Sequence, residues 1–84
     1  MEKLKEFIDE VSIGYVLANG CKFQTVIEGG VRGRDAISIS VNKNVIMIVF
    51  KDEVGYTITG LAGNIKCNTE RSLKMKLKKY FIQN

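Results

Sequence analysis

Residues 66–84 carry Lys66, Arg71, Lys74, Lys76, Lys78 and Lys79 against a single acid, Glu70, a local excess of +5. The whole chain of 84 residues sums to +4, so residues 1–65 sum to −1 and the positive charge belongs to this one segment. Cations at such density suit two kinds of recognition. They neutralise phosphates and release counterions, where four or five contacts to duplex DNA would give a log–log salt slope of roughly −4. They also meet acidic protein surfaces, where charge complementarity steers encounter and selects partners. The same lysines serve the fold as well, because cations late in a helix complement its dipole by about 0.3–1 kcal/mol each and a solvated charged face keeps a small domain soluble.

A second group is Gly29-Gly30-Val31-Arg32-Gly33-Arg34. Glycines let a backbone approach phosphate closely, and Arg32 and Arg34 can pair with carboxylate or phosphate. The strand–loop–helix setting and the lysine of a P-loop are missing, so a wide hairpin turn bearing two arginines is the simpler reading.

Catalytic chemistry finds little support. The chain has no histidine, and its two cysteines, Cys21 and Cys67, fall short of a four-ligand zinc site. Both cysteines sit in apolar or strand-like surroundings and are expected as free thiols. Asp35, Asp52 and Glu53 occur in turn-like segments without a partner carboxylate and read as turn formers. Phe7, Phe23, Phe50 and Phe81 fall on expected core faces, which leaves few rings on which bases could stack. No enzyme activity, metal or cofactor is expected.

The elements that must position these groups follow from periodicity. Leu4, Phe7, Ile8 and Val11 recur at i, i+3, i+4 and i+7, which predicts a short N-terminal helix. Asn19-Gly20 is the strongest short hairpin signal, so residues 12–18 and 21–28 are expected to pair through a type I′ turn. That register puts Val16, Ala18, Cys21, Phe23 and Ile27 on one face. Ile13, Tyr15, Leu17 and Val26 fall on the other, a doubly apolar hairpin that a helix or a second subunit must cover.

Further along, Ile37, Ile39 and Val41 alternate with Ser38 and Ser40, the mark of a half-buried strand. Residues 42–44 turn the chain into the apolar run 45–50, expected as a central strand covered on both faces. Residues 56–61 form a fifth strand, Gly60 and Gly63 suggest a bulge or sharp bend, and residues 65–67 form a short sixth. Thr69 or Asn68 caps a final helix with Leu73, Leu77, Tyr80 and Phe81 inward. On its surface Arg71, Lys74 and Lys78 take one flank, Lys76 and Lys79 the other, and Met75 and Ile82 the outward back.

The fold class is therefore α+β in a single domain spanning residues 1–84. It comprises a short N-terminal helix, a five- or six-stranded antiparallel meander sheet, open or partly closed into a barrel, and a C-terminal basic amphipathic helix. A core this small leaves single truncations costly, and Phe23→Ala or Ile48→Ala is expected to cost roughly 2–5 kcal/mol. The longest apolar run, residues 45–50, is far short of the ~20 residues of a membrane span, so a soluble, cytoplasmic protein is expected.

Together these features point to a small non-enzymatic binding module that acts by surface contact and engages or inhibits a larger acidic protein or nucleoprotein. A phage or plasmid inhibitor of a host system would fit that description. The expected partner-binding residues are Arg32, Arg34, Arg71, Lys74, Lys76, Lys78 and Lys79. Direct nucleic-acid binding by the basic helix and the arginine loop is the second expectation, and a structural homodimer closed over the first hairpin is the third.

Overall fold

Leu4 and Ile8, one helical turn apart, are buried beneath α1 (Glu2–Val11), with Phe7 and Val11 packing beside them as their spacing predicts. A computed structural model describes residues 1–31, 33–60 and 63–82. After α1 come α2 (Ile13–Asn19), β1 (Phe23–Val31), β2 (Arg34–Val41), β3 (Asn44–Lys51), β4 (Tyr56–Gly60), β5 (Gly63–Cys67) and α3 (Glu70–Ile82).

The strand expected over residues 12–18 is instead the helix α2. The Asn-Gly pair serves it as a stop signal. Gly20 takes φ 58°, its N–H donates to the Val16 carbonyl at 2.8 Å, and the Asn19 side-chain amide donates to the Tyr15 carbonyl at 2.8 Å. Left-handed glycine is what a helix C-terminus and a type I′ turn both require, so the dipeptide alone does not choose between them. Ser12 joins the two helices: its N–H donates to the Ile8 carbonyl at 3.1 Å and its hydroxyl to the Asp9 carbonyl at 2.9 Å. The turn with positive φ at both central residues occurs at Asn42-Lys43, φ 52° and 71°, between β2 and β3.

The five strands form one open antiparallel sheet in the order β1-β2-β3-β4-β5, so the barrel alternative is not realised. Residues 65–67 do pair, as the end of β5, while Leu61 lies outside the described residues. Cross-strand partners Thr25–Ile39–Met47 and Ile27–Ile37–Val49–Ile58–Ile65 fix one face of the sheet. Ile37, Ile39, Met47, Val49, Ile58 and Cys67 on that face are buried against Leu4 and Ile8 of α1 and Leu73, Leu77 and Phe81 of α3. Phe81 is ringed edge-on by Tyr15, Phe23 and Tyr80, with centroids 5.6, 5.6 and 5.0 Å away. Cys67 is a buried free thiol and Cys21 a half-buried one.

All three helices therefore lie on one face of the sheet. β3 is central, but no described helix covers its other face: Ile48 is only half-buried and Val45 is 58 % exposed, which corrects the expectation of cover on both sides. Phe50 on that face is nevertheless 3 % exposed, with the Arg34 guanidinium over its ring at 4.2 Å, and Ala36 and Ser38 beside it on β2 are buried as well.

Candidate partner-binding surface

Thr69 caps α3 as its sequence predicts, its side-chain oxygen accepting from the Ser72 N–H at 3.1 Å. With Leu73, Leu77 and Phe81 anchored in the core, the helical repeat turns the remaining positions outward. Arg71, Lys76, Lys78 and Lys79 are exposed, and so are Met75 at 62 % and Ile82 at 60 %. Two shallow grooves share this surface. One is lined by Thr69, Arg71, Ser72, Met75, Lys76 and Lys79, the other by Met75, Lys78, Lys79 and Ile82.

Among the described residues no carboxylate lies within 4.0 Å of Arg71, Lys76, Lys78 or Lys79. Lys74 differs. Its ammonium is 3.9 Å from Glu70 Oε2 and 5.2 Å from the centroid of Phe7 on α1, so it helps seat α3 on α1. The structure thus brings Arg71, Lys76, Lys78 and Lys79 around an exposed apolar strip and sets Lys74 apart from them.

The arginine loop is mostly strand. β1 runs to Val31 and β2 begins at Arg34, with Val31 and Arg34 paired after a register shift and Gly30 and Gly33 at φ 70° and 76°. Arg32 lies outside the described residues. Arg34 is the outermost residue of β2, and besides covering Phe50 its Nη1 donates to Asp52 Oδ1 at 2.5 Å. Thr57 on β4 donates its hydroxyl to Asp52 Oδ2 at 2.5 Å. The Thr57 hydroxyl first, and then Arg34, hold the Asp52 carboxyl below its ordinary pKa. A low carboxylate pKa fits an ion-pair anchor rather than a proton acceptor working near neutral pH.

This Arg34–Asp52–Thr57 cluster is the feature that sequence reasoning missed, since Asp52 reads there as a turn former. Among the described residues no group of three or more Cys, Asp and Glu side chains is arranged to hold a metal ion. The rings outside the phenylalanines offer no open stacking platform among the described residues: Tyr15 and Tyr80 are half-buried against Phe81 and Tyr56 against the core. Ile13 and Leu17, expected on the second side of a hairpin, are exposed together on α2 at 56 % and 78 %. No described helix is long and apolar enough to cross a membrane. Comparison with known protein families, with curated protein sequences and with solved structures gives no match.

Proposed function

We propose that the protein is a small non-enzymatic binding module that acts by surface contact, holding the acidic face of a larger protein or nucleoprotein against the outer side of α3 and so engaging or inhibiting it. The observation that carries this reading is the exposure of Met75 and Ile82 amid Arg71, Lys76, Lys78 and Lys79, whose charges have no acid beside them among the described residues. Protein interfaces are built in this way, with an apolar centre that excludes water and a charged rim that sets partner and on-rate. A phosphate backbone offers no apolar receptor for Met75 and Ile82, which favours a protein surface as the direct contact. Arg34, held by Asp52 and Phe50, stands outside this surface.

The test is a tagged capture from native or target-cell extract, split into nuclease-treated and untreated halves and read by mass spectrometry and nucleic-acid staining. An acidic protein retained after nuclease, and released as salt screens the contact, is the expected result. Bound material that disappears with nuclease treatment would move the contact to nucleic acid and overturn the reading.

A further inference from the structure

β1 ends the sheet on one side, with no strand beside it among the described residues. The Asn42 N–H donates to the Lys22 carbonyl at 2.7 Å, and the Lys22 N–H donates to Asn42 Oδ1 at 3.0 Å, so the peptide groups of Lys22 face β2. Backbone direction alternates along a strand, so Gln24, Val26 and Glu28 also address β2, while the N–H and C=O groups of Phe23, Thr25 and Ile27 point to the free edge. The Thr25 hydroxyl donates to Asp9 Oδ1 at 2.6 Å, which holds α1 over the face of β1 rather than alongside its edge. Natural edge strands are usually blunted by shortness, proline or charge. β1 is nine residues long, has no proline, and from Phe23 to Ile27 carries no charge.

The residues along this edge are complementary to themselves when run antiparallel. With Thr25 opposite Thr25 of a second copy, Phe23 faces Ile27, Gln24 faces Val26, and Lys22 faces Glu28, each relationship occurring twice. Three outward-facing pairs (23 with 27, 25 with 25, 27 with 23) would exchange about six backbone hydrogen bonds, and both end pairs join opposite charges. Lys22 and Glu28 are exposed in the single chain, and neither lies within 4.0 Å of an opposite charge among the described residues. We propose that β1 pairs antiparallel with β1 of a second copy about a two-fold axis at Thr25, joining two sheets into one and locking the register with two Lys22–Glu28 pairs. This inference does not depend on the reading of α3. The α3 helices stay outside the joint and are displayed in duplicate, an arrangement that raises avidity for a repeated partner.

Sedimentation and light scattering over a wide concentration range test it, with the Lys22→Glu, Glu28→Lys and Lys22→Glu/Glu28→Lys variants beside the parent. The expected result is a concentration-dependent rise toward twice the monomer mass. Each single reversal should weaken the dimer roughly tenfold by setting like charges opposite each other twice, and the double swap should restore it. Circular dichroism should be the same for all four chains, since these side chains are exposed. A monomer at every accessible concentration would overturn the proposal, and so would a dimer indifferent to both single reversals.

Discussion

The guanidinium of Arg34 lies 4.2 Å from the centroid of the Phe50 ring while one of its nitrogens donates to Asp52. On the sheet face without helices, this arginine does what a second layer would otherwise do: it keeps an aromatic ring out of water. A cation over an aromatic face contributes about 0.5–2 kcal/mol, to which the covering of apolar surface adds. Arg34→Ala should lower stability by about 1–3 kcal/mol in denaturant unfolding, and Arg34→Lys should recover only part of the loss because a planar guanidinium stacks and an ammonium does not.

Asp52 makes part of that stability depend on pH. Its carboxyl titrates below the ordinary value, chiefly through the Thr57 hydroxyl and then through Arg34, so the folded state binds its proton less readily than the unfolded chain does. The stability it supplies is present in full above the unfolded value of about 3.9 and is lost as pH falls through the lower folded value. Asp52→Asn should therefore be less stable than the parent near neutral pH, and the gap should narrow below about pH 4. A gap that stays constant from pH 7 to pH 2 would remove Asp52 as the source.

This cluster shows why part of the molecule was hidden in its sequence. A regular two-residue turn at Asn42-Lys43 pairs Val41 with Asn44 and, continued outward, sets Arg34 opposite Lys51. One extra residue in β3, at Ile46, shifts the register so that Ile39 meets Met47 and Ala36 meets Phe50, and two residues further out Arg34 reaches Asp52. A bulge inside an unbroken apolar run leaves no compositional mark, so neither the ion pair nor the face on which Phe50 falls was legible. The repeats that did show through were those with a single reading: the alternation of Ile37, Ile39 and Val41, and the Leu73–Leu77–Phe81 stripe of α3. Residues 12–20 failed for a different reason, since their apolar residues and terminal glycine satisfy a strand and a capped helix equally. The exposed strip on α3 was legible because the core anchors of one long helix dictate what faces outward.

The turn residues give a paired prediction. Lys43 holds φ 71° with a full side chain, so Lys43→Gly should stabilise the fold by about 0.5–1 kcal/mol by relieving left-handed strain. Gly20 sits at φ 58° with open space around it, so Gly20→Ala meets no steric clash and should cost about 1 kcal/mol from backbone strain alone. Thermal or denaturant unfolding of the two variants reads both signs.

Leu73 on α3 and Ile48 on β3 separate the two faces of the sheet. Leu73 and Val49 are fully buried between helix and sheet, and Leu73→Ala should cost about 2–5 kcal/mol. Ile48, half-buried on the open face, should cost nearer to 1 kcal/mol on truncation to alanine, less than its apolar surroundings in the sequence suggest. Equal losses at Leu73 and Ile48 would mean that something covers the open face.

The contact proposed for α3 works through local charge around an apolar strip, which paired charge reversals of equal net change separate from overall charge. Lys78→Glu/Lys79→Glu alters the strip beside Met75 and Ile82, whereas Lys3→Glu/Lys43→Glu makes the same change in net charge on α1 and the β2–β3 turn. Affinity for the captured partner, measured by calorimetry on both folded variants, should fall at least tenfold for the α3 pair and change little for the control pair. Equal losses in the two variants, or full affinity in the α3 pair, would rule out the α3 strip as the contact.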